Sequence, residues 1–246
     1  MATTKPSLGN ALSEAKCKVD ATFGHAKVAS VVTPCKAPTV ETKLGSDVDA
    51  AIAICPAFAG KLNDLQAKGW TFKYGTAGKG SYCDRISKTI VVDTNQKGKV
   101  ASVVGTMAHE AGHAGYTPEP NVPAESGSPP KRLTRAEYAK QNANRSLKDE
   151  GEATIFNAEM KACLEKNGGA KISVAGAQAA KYEKIVAKYP KPGDRDKARQ
   201  EIADLFADGE KPSTQPGVTY RQYYEKPYLD HYDKLYPPPK TPLKMP

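Results

Sequence analysis

The sequence has no run of about 18 apolar residues, so no membrane-spanning helix is expected within its 246 residues. Its 20 glycines and 19 prolines follow no period, which excludes a collagen-like chain. No internal repeat is present. None of the five cysteines (Cys17, Cys35, Cys55, Cys83 and Cys163) stands in a CxxC pair, so a cysteine zinc site is not expected. Their number is odd, so at least one is unpaired within the chain; free thiols and one or two disulfides both stay open. The first twenty residues form no apolar h-region, because Lys5, Glu14, Lys16 and Lys18 interrupt them. The chain is therefore expected either to stay in the cytoplasm or to be secreted by a route that needs no cleaved signal. The net charge is +9, yet no zinc finger, RNP aromatic set or basic helix accompanies it, so nucleic acid is not an expected partner.

A hydrophobic fraction of 39% is too high for a wholly disordered chain, and the length suits one large domain or a domain with extensions. Residues 1–45 mix short apolar pieces with Pro6, Pro34 and Pro38 and read as an irregular N-terminal extension. From Ser46 a helical pattern runs through Ile52, Phe58, Leu62 and Leu65 to Gly69, with a kink expected at Pro56. Trp70–Tyr74 and Thr89–Asp93 read as strands separated by a glycine-rich loop, and residues 99–115 as a helix that Gly115 can end. The Pro/Gly stretch 117–130 is an exposed loop, able to shape or cover a cleft. Thr134 and Glu137 form a capping-box pattern that opens a helix, or a helix pair, lasting to Asn167. Two further amphipathic helices are expected over 173–189 and 194–208. Residues 46–210 thus form one domain, and 211–246 a Tyr/Pro-rich tail.

The chemistry concentrates in His109-Glu110-Ala111-Gly112-His113. On a helix, positions i and i+4 share a face, so two imidazoles can meet one metal ion while Glu110 reaches a water beside it. This is the HExxH zinc pattern, with the glutamate as general base. The small Ala111 and Gly112 let a neighbouring backbone approach closely. A catalytic zinc takes three protein ligands and keeps one position for water, so a third ligand is needed. His25 and His231 have no helpful company. The extended HExxHxxGxxH pattern is absent, because Tyr116 and Glu119 occupy its later positions. A carboxylate from the acidic helix segment 149–159 is the better candidate.

Here the sequence resembles the gluzincin type of zinc metallopeptidase, in which HExxH is followed by a helix reading E-x-E-A-x-x-F. Over about residues 70–165 that order is present, with Glu150-Gly151-Glu152-Ala153 and Phe156. The resemblance implies that Glu150 is the third zinc ligand. Glu152 is the alternative, but it points about 200° around the helix from Glu150. Many gluzincins carry a further carboxylate one turn after the ligand. This chain has Thr154 there, which leaves Asp149 or Asn157 to support the ligands.

The implied fold is α+β and zincin-like: a small, mostly antiparallel sheet packed on the HExxH helix and the glutamate helix, with additional C-terminal helices. The implied reaction is peptide-bond hydrolysis by a zinc-activated water, with Glu110 as base. Tyr116, Tyr224 and His231 are candidates to stabilise the oxyanion, with Tyr223 beside them. The strand Thr89–Val92 is the expected edge along which an extended peptide binds.

The organisation also resembles, more loosely, the toxic metallopeptidase domains carried by VgrG-type spike proteins and related effectors of type VI secretion. That resemblance implies an antibacterial effector delivered to the periplasm of a target bacterium. It also implies a secretion-spike partner and a cognate immunity protein, acidic to suit the +9 surface. Two other readings use the same residues: a zinc-dependent amidase acting on cell-wall peptide, and a non-enzymatic basic binding module with a structural metal.

Overall fold

The computed structural model describes residues 39–212 and 215–237. Cys17, His25, Cys35 and most of the expected N-terminal extension lie outside the described residues. Residues 39–45, read as the end of that extension, pack Val40 and Leu44 into the core, and Thr42 hydrogen-bonds Asp49.

The fold is α+β. Helix α1 (Ser46–Ala53) breaks before Pro56, which starts α2 (Pro56–Ala67). A proline lacks the N–H that an interior helical position needs, but a first helical position does not need it. Gly69 then takes φ +85°, a conformation that ends the helix at little cost for glycine. Three short strands follow: β1 (Thr71–Tyr74), β2 (Tyr82–Asp84) and β3 (Thr89–Val92).

The sheet order is β1-β3-β2, with β1 parallel and β2 antiparallel to β3. The sheet is therefore mixed rather than mostly antiparallel. It also places β3 in the centre, so the expectation that Thr89–Val92 is the edge is overturned. All four of its residues are buried, as a strand paired on both sides requires. The edge beside the site is β2, whose three residues show no clear hydrophobic pattern.

Helix α3 (Val100–Gly115) lays Val103, Val104, Met107, Ala108 and Ala111 into the main core, each with no exposed surface. The loop after it contains a small hairpin, β4 (Glu125–Ser126) with β5 (Lys131–Arg132). The Thr134–Glu137 capping box opens α4 (Arg135–Lys166), a single helix of 32 residues. Two glycines let this helix serve both sides. A Cβ on Gly112 would lie 2.6 Å from Ala153 Cα, and one on Gly151 would lie 2.5 Å from the Arg199 carbonyl oxygen. Backbones of α3 and of α6 (Arg195–Gly209) therefore press against opposite faces of α4.

Cys55 and Cys163 form a disulfide that ties the start of α2 to the end of α4, and Cys83 has no partner among the described residues. Residues 173–178, expected as the start of a helix, are not helical; α5 is Ala179–Lys188. Gly176 at φ +102° prevents a continuous helix, and Asn157 holds the backbone of Ser173 and Ala175. The segment expected as a tail contains α7 (Tyr220–Leu235), with Pro227 inside it and a Thr219–Gln222 capping box at its start. It packs along α4, tied by the bidentate Arg135–Asp233 pair and by Tyr232 donating to the Leu133 carbonyl. None of the helices among the described residues is long and apolar enough to cross a membrane.

Candidate metal centre

Helical spacing on α3 stacks His109 and His113 edge to face, with ring centroids 4.9 Å apart. Glu150 reaches them from α4. Its Oε2 lies 3.5 Å from Nε2 of His109 and 3.5 Å from Nε2 of His113. One donor atom from each residue falls within 4.8 Å of the others, so the three can hold a metal ion. The close passage of α3 and α4 at Gly112 and Ala153 is what brings the carboxylate within reach.

Neighbouring side chains orient this set. His113 Nδ1 lies 2.9 Å from Asp149 Oδ1. A proton held there leaves the Nε2 lone pair facing Glu150, the tautomer that a metal ligand needs. Arg85 Nη2 donates to the same Asp149 oxygen and to the His113 carbonyl, each at 2.6 Å. Tyr224, from α7, donates to Glu150 Oε1 at 2.6 Å and leaves Oε2 for the imidazoles. His109 Nδ1 and Thr154 Oγ1 are the buried side-chain atoms without a hydrogen-bond partner among the described residues.

The electrostatics follow from burial and proximity. Burial alone would raise the Glu150 pKa, but the His113 and His109 imidazoles facing it hold it far below the usual carboxylate range. Burial would lower the His113 pKa, whereas the Glu150 and Asp149 carboxylates raise it well above normal. A cation is thus favoured between these groups, and a divalent ion would displace the proton. Glu110 is buried, and burial raises its pKa against the opposing pull of the two imidazoles. Burial also raises the Tyr224 pKa, with Glu150 adding to it, so the phenol keeps its proton. The Cys83 thiol is pushed up to about 12 by burial, which keeps it neutral and a poor metal ligand.

The site opens into a cleft of two lobes. One, about 310 Å³, surrounds the His109, His113 and Glu150 cluster and is lined also by β2, Arg85, Tyr220 and Tyr224. The other, about 460 Å³, continues toward the start of α3. Ser81, His109 and Glu110 line both, which puts the carboxylate of Glu110 at their junction.

Five expectations change with the geometry. Glu152 does not face the cluster; it bonds Arg195 and Arg199 on the far side of α4. Tyr116 packs beneath the Arg199 guanidinium, 4.7 Å from ring centroid to Cζ, and does not line the cleft. His231 stacks on Tyr138 at 6.1 Å, also outside it. Asn157 holds the 173–175 backbone, so Asp149 alone of the two supports a ligand. Tyr223 packs edge-on against Tyr220 and Tyr224 without lining the cleft. Arg85 and Tyr220 were not foreseen; no local pattern marks either. The T-x-x-Q capping box at Thr219 was the available sign that the tyrosine segment is helical. Comparison with protein-family models, with curated proteins and with solved structures finds no match to this chain.

Proposed function

We propose that this protein is a zinc-dependent metallopeptidase of the gluzincin type, with His109, His113 and Glu150 as ligands and Glu110 as general base. The convergence of Glu150 Oε2 on both imidazole Nε2 atoms, each at 3.5 Å, carries the proposal. Three protein donors of this kind suit a catalytic zinc, which retains a position for water. Bound there, zinc would supply Lewis acidity, favouring an ionised water near neutral pH and polarising the substrate carbonyl.

The remaining chemistry belongs to the chain. Glu110 is not a ligand in this reading; its carboxylate accepts the proton of the attacking water and passes it to the leaving amine nitrogen. Burial raises its pKa, which makes the carboxylate a better proton acceptor. Asp149 and Arg85 keep the His113 ring in one orientation. Tyr224 holds Glu150, and it remains the candidate from the tyrosine group to donate toward a developing oxyanion when substrate draws its hydroxyl away. The exposed edge of β2 offers main-chain groups along which an extended peptide can pair.

The reading extends to an antibacterial effector acting outside the producing cell. The Cys55–Cys163 disulfide supports it, since such bonds persist in oxidising compartments. A spike protein and an acidic immunity protein are the partners it calls for.

The test is metal analysis and turnover on the same preparations. Wild type is expected to carry one zinc per chain and to cleave a denatured protein substrate. Glu110→Gln should retain the zinc and lose turnover, whereas His113→Ala should lose both. Stoichiometric zinc and unchanged cleavage in His113→Ala would refute the assignment.

A further inference from the structure

The larger lobe of the cleft plays no part in holding the metal cluster, yet both of its walls are organised. On the sheet side, Gln96 Oε1 accepts the hydroxyl protons of Ser102 and Thr106 at 3.1 and 2.8 Å. Gln96 Nε2 donates to Ser81 Oγ at 3.3 Å, and the Asp93 N–H donates to the same oxygen at 2.9 Å. With both acceptor positions of Ser81 used, its own proton is left to donate into the lobe. The opposite wall is the segment Lys171–Ala175. Its residues alternate exposed and buried from Lys171 to Val174, as in a strand, although it pairs with none. Asn157 fixes it by accepting the Ala175 N–H at 2.8 Å and donating to the Ser173 carbonyl at 3.4 Å.

The charge in this lobe is one-sided. Beyond Glu110 and His109 at the junction, Lys171 is the single ionisable residue lining it, and its side chain makes no ion pair among the described residues. The other lobe carries the Arg85–Asp149 ion pair outside the three-residue cluster. Arg85 spends Nη2 on Asp149 and the His113 carbonyl, while its Nε and Nη1 have no partner among the described residues. A substrate crossing the junction therefore meets the unpaired Lys171 ammonium on one side and the free Nε and Nη1 donors of Arg85 on the other. No uncommitted carboxylate other than Glu110 lines either lobe.

We propose that the cleft selects acidic peptides, seating a Glu or Asp side chain in the lobe between α3 and the 171–175 segment, where Lys171 contacts its carboxylate. This rests on the peptidase reading for the placement of a peptide across Glu110. A charge pair of this kind at an exposed lysine is expected to favour the acidic peptide by up to about fivefold.

The test uses full-length, zinc-loaded Glu110→Gln protein and fluorescence anisotropy, so that no turnover is needed. Hexapeptides differing by a single Glu, Gln or Lys, scanned through each position, are the probes. At one position Glu should bind about fivefold tighter than Gln, with the advantage shrinking as salt rises. Lys171→Gln should abolish the discrimination, and Lys171→Glu should turn it toward Lys. Equal affinities, discrimination that survives in Lys171→Gln, or no peptide binding at all would overturn the proposal. The same peptides incubated with wild type separate the two readings. Discrimination in binding without cleavage refutes the peptidase and leaves the acidic site standing, whereas cleavage without discrimination refutes the acidic site alone.

Discussion

Replacing Gly112 with alanine adds one methyl group where two helices meet. Its Cβ would lie 2.6 Å from Ala153 Cα, 3.1 Å from Phe156 Cβ and 3.2 Å from the Ala153 carbonyl oxygen. Carbon atoms pack at about 3.5–4.0 Å, so α3 and α4 must part by roughly 1 Å or distort. Overpacking of this kind costs about 1–3 kcal/mol, against which the better helix propensity of alanine returns about 1 kcal/mol. A net loss of up to about 2 kcal/mol is expected, or a fall in Tm of up to about 8 °C for a domain of this size. Gly60 in α2 is the internal control. Nothing lies within 4 Å of its Cβ position, so Gly60→Ala should gain about 0.5–1 kcal/mol. Because Glu150 is one turn before Ala153 on the displaced helix, Gly112→Ala should also weaken zinc binding. Thermal unfolding and competition with a chelating dye measure the two effects. If Gly112→Ala is as stable as Gly60→Ala and binds zinc like wild type, the reasoning about helix approach fails.

Glu150→Gln should abolish tight zinc binding, whereas Glu152→Gln should leave zinc affinity intact and cost about 2 kcal/mol by stripping Arg195 and Arg199 of their shared partner, as read by calorimetry and unfolding. Asp149→Asn should weaken zinc binding by about 10–100-fold without removing it, measured by chelator competition. Reduction of Cys55–Cys163, which closes a loop across a separation of 108 residues, should cost about 4 kcal/mol, seen as a lower denaturant midpoint with dithiothreitol. Asp93 accepts backbone N–H groups from Asn95, Gly78 and Gly80, which holds its pKa below normal. Its contribution to stability is therefore complete above the unfolded carboxylate pKa of about 3.9 and fades as pH falls through the lower folded value. In Asp93→Asn, Tm should start lower at neutral pH and change less on acidification.

What could be read from the chain was local. The i, i+4 imidazoles, the capping box at Thr134 and the small residue at position 112 each declare themselves within five residues, and each is found where the spacing puts it. Glu150 is singled out by the resemblance to gluzincins, and its carboxylate lies against both imidazoles. The rest depends on pairing across long separations. Tyr82-Cys83-Asp84 is too short to show a strand period, so the third strand that puts Thr89–Val92 in the centre is not visible in the sequence. Ile172 and Val174 stand two apart, a spacing that suits an extended segment, and Gly176 and Asn157 keep it from joining the helix that follows. Arg85 meets Asp149, and Tyr224 meets Glu150, through contacts spanning 64 and 74 positions, which no periodicity announces. Pro227 lies inside α7, which packs along α4 all the same.

The hydroxyl that steadies Glu150 belongs to Tyr224, far along the polypeptide from the imidazoles. During synthesis on a ribosome, His109, His113 and Glu150 emerge well before that phenol does. A nascent chain can thus gather its metal donors while the carboxylate between them still turns freely. Order at this centre arrives last, when α7 settles against its neighbour.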